Sequence, residues 1–164
     1  MTFPELETER LSLTQINTED TAAIFALFSN KRVVEYYDLE AFTVMQQASE
    51  LIAFFQMRFE AATGIRWAIR IKSSHQLIGT CGFNSWNIKM RNAVIGYDLI
   101  PSFWGKGYAS EAMRRIIQAA FSGVLSCGEL HRIQADTVPG NRASEKVLAR
   151  LGFKQEGLRR ESGY

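Results

Sequence analysis

The strongest constraint on the fold is a change of hydrophobic period in the middle of the chain. Ala48, Leu51, Ile52, Phe55, Phe59 and Ala62 fall on one helical face, with Gly64 as the expected stop. Thr43 and Gln46 ahead of them fit a capping box. The period then drops to two. Trp67, Ile69 and Ile71 alternate with Arg66, Ala68 and Arg70, Leu77 to Trp86 returns as a strand, and Ala93 to Ile100 forms a third. Lys72 to Gln76 and Asn87 to Arg91 supply the turns, so the three strands read as an antiparallel meander. Pro101 cannot donate to a ladder and ends it. Helical spacing returns with Ala109, Ala112, Met113, Ile116, Ile117, Ala120 and Phe121. A strand from His131 to Val138, a helix from Asn141 to Leu151 and a strand from Phe153 to Arg160 follow. Arg10 to Thr14 reads as an opening strand and Thr18 to Phe28 as a first helix. The predicted order is β-α-α-β-β-β-α-β-α-β, an α+β or mixed α/β layout in one domain spanning residues 1–164.

Composition narrows the function classes. With 46% hydrophobic and 12% aromatic residues the chain can fill a core. Nineteen basic against seventeen acidic side chains give a net charge of +2, too balanced to point to a nucleic-acid surface. Two cysteines, Cys81 and Cys127, make no disulfide framework and suit a reducing cytoplasm. The Met1-Thr2-Phe3-Pro4-Glu5-Leu6-Glu7 start has neither a basic region nor an apolar region of a signal peptide. No uncharged apolar stretch approaches the ~20 residues that span a bilayer. The expectation is a cytoplasmic protein that binds neither membrane nor nucleic acid.

The segment Gly96-Tyr97-Asp98-Leu99-Ile100-Pro101-Ser102-Phe103-Trp104-Gly105-Lys106-Gly107-Tyr108-Ala109-Ser110-Glu111-Ala112 carries the chemistry. It runs from a strand through a short glycine-bearing loop into the long amphipathic helix. Gly105 and Gly107 can place backbone where a Cβ would collide. The first helical turn offers N–H groups without intrahelical partners and the positive end of the helix dipole, a cradle for a diphosphate. Lys106 adds a mobile charge. On the residues alone, a plain strand-to-helix turn explains a lone Gly-x-Gly equally well. A dinucleotide fingerprint does not fit, because Ser110 stands where its third glycine belongs and a meander precedes the loop. A Walker loop does not fit either, since no Gly-Lys-Ser/Thr occurs.

Trp104 to Ala112 resembles the coenzyme A signature of the GCN5-related N-acetyltransferases, Gln/Arg-x-x-Gly-x-Gly/Ala, with Ser102 in place of the first residue. Thr8-Glu9-Arg10-Leu11, Leu77-Ile78-Gly79-Thr80-Cys81-Gly82-Phe83, Asn141-Arg142-Ala143-Ser144, Leu151-Gly152-Phe153 and Glu156-Gly157 are similar to the RimJ/RimL-like branch, in order and over nearly the whole chain. The resemblance implies a twisted, mostly antiparallel central sheet flanked by helices and splayed at the cofactor strand. It implies acetyl-coenzyme A as co-substrate, no metal, and direct attack of a primary amine on the thioester. Coenzyme contacts are implied at Tyr97, Leu99 and Ile100 on the strand, at Trp104, Gly105, Lys106, Gly107, Tyr108 and Ala109 in the loop and helix start, and at Asn141, Arg142 and Ser144. Lys146 and Arg114 join Arg142 as candidates for the 3′-phosphate. The amide near Leu99 would face the thioester oxygen, and Ser144 would protonate the departing thiolate. Asn141 equally suits a helix N-cap and Ser144 an exposed first turn.

A base must free the amine. Asp98 ranks first, ahead of Glu111, Glu161, His75 and His131. Phe83, Asn84, Trp86 and Tyr36 are candidates for an acceptor cleft. Cys81 reads as core packing rather than a nucleophile. The branch implies the α-amino group of a protein N-terminus, of ribosomal-protein type, as acceptor. A small amine (polyamine, antibiotic or amino acid) and a non-catalytic acyl-coenzyme A module are the alternatives. Relatives continue into a final strand, which this sequence lacks after Arg160. That implies a truncated chain or a strand borrowed from a partner, and an unpaired edge would favour a homodimer.

Overall fold

The alternating middle of the chain forms the centre of one curled sheet in a computed structural model, which describes residues 2–35, 40–87, 89, 92–123, 125, 132–135 and 142–153. Strands β3 (Ile65–Ile71), β4 (Leu77–Asn87) and β5 (Asn92–Leu99) pair antiparallel in sequence order. β2 (Leu11–Gln15) pairs with the free side of β3, and β1 (Leu6–Glu7) with β2. β6 (Arg132–Ala135) lies parallel to β5, giving the order β1-β2-β3-β4-β5-β6. The parallel joint is the one with a helix as crossover, as the longer connection of a parallel pair requires.

The strand period sorts side chains onto two faces. Leu11, Leu13, Trp67, Ile69, Cys81, Phe83, Ile95 and Leu99 share one core with Ala112, Met113 and Ile116 of α4 (Tyr108–Ser122). The helix α5 (Arg142–Arg150) adds Val147 and Leu148 to that side. On the other face Ala68 and Leu77 pack with Ile24 and Leu27 of α1 (Thr21–Ser29), Val33 and Val34 of α2 (Lys31–Val34), and Ala48 and Ile52 of α3 (Met45–Glu60). Each fully buried side chain of the size of Trp67, Phe83 or Met113 contributes about 1.5–3 kcal/mol by leaving water.

Several local expectations are corrected. α3 starts one residue later than predicted, at Met45. Val44 has no side-chain oxygen to accept a bond, and the reaching residue is Gln47, whose Oε1 accepts from the N–H of Val44 (3.0 Å) and of Thr43 (2.7 Å). Gln46 instead donates to Glu50. The helix ends at Glu60 with Ala61 as its C-cap, and Ala62 beyond it takes a left-handed φ of 56°. Gly64 serves a close approach, because a Cβ there would lie 2.9 Å from the Phe83 carbonyl oxygen. Phe121 is exposed, and Ala119 fills the buried position beside it. β1 and α2 were not predicted, being too short to show a period; Asn30 caps α2 by accepting from the Arg32 N–H at 2.9 Å. The strand expected after Phe153 lies outside the described residues.

Candidate active site

The site is built at the end of β5, ahead of α4. β6 pairs with β5 through Asn92–Ile95. The Ile100 N–H donates to the Ile78 carbonyl at 2.8 Å, so Ile100 faces β4. Alternation then turns the Leu99 amide away from β4. Its carbonyl points the same way and accepts from the Trp104 indole Nε1 at 2.8 Å. A single turn of 3-10 helix, Pro101–Phe103, folds Trp104 back to that contact. The Arg32 guanidinium of α2 stacks over the same indole, 4.8 Å from its centre.

The glycine loop follows. Gly105 and Gly107 have φ of 75° and 83°, the left-handed region that an L side chain rarely adopts. No atom lies within 4 Å of a Cβ built on Gly105, so this turn presents bare backbone to open space. Gly107 is the N-cap of α4 and has no side chain to cap it; the first intrahelical bond runs from Glu111 N–H to the Gly107 carbonyl. The amides of Tyr108, Ala109 and Ser110 precede it without intrahelical acceptors.

Residues from the start of the chain brace this turn. Arg10 donates to the Lys106 carbonyl at 3.1 Å and to the Glu111 carboxylate at 2.7 Å, and lies 4.3 Å over the Tyr108 ring. The Thr8 hydroxyl and the Arg10 N–H also donate to Glu111. Partial burial works to raise the Glu111 pKa, but these bonds and the Arg10 charge outweigh it and hold the carboxyl below its ordinary value. Glu111 is thereby occupied as a brace. The Thr8–Arg10 contribution was missed because its partner lies 101 residues away.

Tyr97 and Leu99 share the face of the α4 core. Ser144 of α5 comes to the same place, its Oγ 3.2 Å from the Tyr97 hydroxyl. Burial raises the Tyr97 pKa, partly offset by the Ser144 bond, with the Asp98 charge adding to the rise. The phenol therefore keeps its proton at neutral pH.

Asp98 points to the opposite face. Its side chain is 1% exposed and pairs with Arg66 at 2.7 Å. The Thr80 N–H (3.1 Å) and hydroxyl (2.8 Å) donate to its other oxygen. Burial raises its pKa; the Arg66 charge and these bonds oppose the rise. The Tyr97 and Leu99 side chains are on the other face of the strand.

Other predicted residues disperse. Lys106 is exposed, 5.6 Å from the Phe103 ring centre. Arg114, Lys146 and His75 are exposed. Arg142 opens α5. Phe83 is buried in the core, and Trp86, also buried, donates its indole N–H to the Ala62 carbonyl at 2.6 Å, so neither lines a cleft. Cys81 is fully buried, its thiol pushed up to about 12, which leaves no thiolate for covalent chemistry. Asn141, Tyr36, Cys127, His131 and Glu161 lie outside the described residues. Among the described residues no group of three or more His, Cys, Asp or Glu is placed to hold a metal, and no helix is long and apolar enough to cross a membrane.

The Acetyltransferase (GNAT) domain family model matches residues 10–154. The chain is 41% identical to the uncharacterized N-acetyltransferase YoaA of Bacillus subtilis, over 99% of this chain and 89% of the relative. It is 36% identical to the uncharacterized N-acetyltransferase p20 of Bacillus licheniformis, over 95% and 85% respectively. Among solved structures, RimL, a ribosomal L7/L12 alpha-N-protein acetyltransferase crystallised with coenzyme A, shares the fold at a TM-score of 0.83 and 21% identity, covering 96% of this chain and 87% of that one. The open backbone loop at the head of α4, the Leu99 amide turned away from β4 and these matches agree: the chain belongs to the GNAT acetyltransferase family and is an acetyl-coenzyme A-dependent N-acetyltransferase.

Proposed function

We propose that the acceptor is an α-amino group at a protein N-terminus. The observation that carries this reading is the engagement of Asp98, the carboxylate next to Leu99 in sequence, by Arg66 and Thr80. An α-amine has a pKa of about 7.7–8.0, so roughly a quarter of it is already neutral near pH 7.4. A lysine-type amine near 10.4 is only about 0.1% neutral there and depends far more on a strong base. A site whose nearest carboxylate in sequence is ion-paired suits the weaker amine. Arg32, stacked on the indole that binds the Leu99 carbonyl, gives the rim a positive charge that disfavours a polyamine. The RimJ/RimL-like motifs and the fold shared with RimL support the same acceptor.

In this reading the diphosphate of the coenzyme lies on the amides from Gly105 to Ala109, and the pantetheine arm runs along Tyr97 to Ile100. The free amine attacks the thioester carbon directly. Charge developing on the oxygen is met by the Leu99 N–H, a fixed donor aimed where charge grows. Collapse breaks the carbon–sulfur bond, and Ser144 gives its proton to the thiolate and takes one back from solvent, with the Tyr97 hydroxyl behind it. The proton of the ammonium leaves to solvent. The family resemblance adds Asn141 and Arg142 as expected coenzyme contacts.

Mass spectrometry of free-α-amine peptides incubated with protein and acetyl-coenzyme A tests the acceptor. Acetylation confined to the α-amine, with kcat/KM rising through a pKa near that of the amine, is expected. Turnover of spermidine or of a lysine side chain with no peptide acetylated at its N-terminus would reject it.

A further inference from the structure

A charged network crosses three strands on the sheet face opposite α4, and the transfer chemistry does not account for it. Arg66 on β3, Gly82 on β4 and Gly96 on β5 are register partners in one cross-strand row. Partners in a row share a face, so the two glycines leave the Arg66 side chain a cleared path. A Cβ on Gly96 would lie 2.9 Å from Asn84 Nδ2 and 3.5 Å from Arg66 Nη1. Along that path each nitrogen of the guanidinium meets a different residue. Nε donates to Thr80 Oγ1 at 2.9 Å, Nη1 to Asn84 Oδ1 at 2.6 Å and Nη2 to Asp98 Oδ2 at 2.7 Å. Phe55 of α3 covers the group, its ring centre 5.9 Å away.

Asn84 is where the β4–β5 register shifts, and Asp98 is bonded covalently to Leu99. The network therefore grips β5 opposite the β4 bulge and beside the transfer centre. A buried ion pair is a poor source of stability, since well-packed apolar residues often do as well. What it provides is a fixed geometry.

We propose that Arg66 and Asp98 are positioning residues, a clamp that sets the direction of the Leu99 N–H toward the thioester oxygen. The proposal rests on the placement of the thioester at Leu99. A misplacement of 1 Å can cost about 100-fold in rate, and the residue bonded to Leu99 is where a clamp sets that geometry.

The test is isotope-edited infrared spectroscopy of [1-13C]acetyl-coenzyme A bound to wild type, Arg66→Lys, Asp98→Asn and Thr80→Val. Calorimetric Kd values and kcat on an N-terminal peptide are taken alongside. In wild type the thioester carbonyl band moves to lower frequency than in buffer, as a hydrogen bond to its oxygen requires. In the variants the band broadens and returns toward the free value, Kd stays within about threefold, and kcat falls at least tenfold, which is 1.36 kcal/mol of barrier. Thr80→Val changes no charge and decides the matter if Arg66→Lys or Asp98→Asn does not fold. A variant band identical to that of folded wild type overturns the clamp. So does loss of the acidic limb of the pH–rate profile in Asp98→Asn alone, which would make Asp98 the base. A wild type that binds the coenzyme with an unshifted carbonyl defeats the placement at Leu99 instead.

Discussion

Replacing Gly105 by alanine separates the conformational role of the loop from its role against a ligand. The residue has φ 75°, where an L side chain costs about 1–2 kcal/mol. No protein atom lies within 4 Å of the added methyl, so no clash adds to that cost. For a chain of this size each kcal/mol lowers Tm by about 2–4 °C, giving an expected drop of about 2–8 °C with the fold intact. Affinity should fall much further. If the diphosphate rests on these amides, the methyl occupies its path. Losing even one charge-assisted bond of about 1.5–3 kcal/mol raises Kd roughly 10- to 100-fold. Calorimetric titration with acetyl-coenzyme A, beside a thermal melt, reads both quantities. Gly105→Asn is the control: asparagine tolerates the left-handed region, so it should recover Tm but not affinity. A Gly105→Ala protein that melts a few degrees lower yet binds the coenzyme within twofold of wild type would refute the diphosphate placement.

Ser144→Ala should lower kcat by about 10- to 100-fold with little change in the KM for acetyl-coenzyme A, since proton transfer of this kind is worth about 100- to 10,000-fold at most; steady-state kinetics checks it. Arg10→Met should raise the coenzyme Kd several-fold by leaving the Glu111 carboxylate uncompensated beside the anion site, and Arg10→Met with Glu111→Gln should recover part of the loss in a double-mutant cycle. The lowered Glu111 pKa means the unfolded chain binds its proton first on acidification. That contribution is present above the ordinary value of 4.5 and is lost as pH falls through the folded-state pKa; acid titrations followed by circular dichroism should show a shallower slope in Glu111→Gln. Met113→Ala, at a fully buried position of the α4 core, should cost about 2–5 kcal/mol in denaturant unfolding.

The meander and the α4 helix were legible because their periods are long and unbroken, and the loop because two glycines sit where a strand meets a helix. One feature of the site could have been read and was not. Tyr97 and Leu99 alternate with Asp98, so the period of two already places the carboxylate on the opposite face from the other two side chains. Its partners were hidden, because Arg66 and Thr80 come to it through strand register, 32 and 18 residues away. The packing of helices on the sheet hid the Thr8 and Arg10 brace on Glu111 and the meeting of Ser144 with Tyr97 across 47 residues. α2 escaped because one helical turn carries no periodic signal, and its Arg32 touches the site only through a Trp104 ring that the chain folds back.

A crystal structure of the protein grown with acetyl-coenzyme A tests the central claim most directly. The diphosphate should lie on the amides at the head of α4, with the thioester oxygen within about 3 Å of the Leu99 nitrogen. Coenzyme density seated elsewhere on the chain, with the Gly105–Gly107 turn bare, would contradict it.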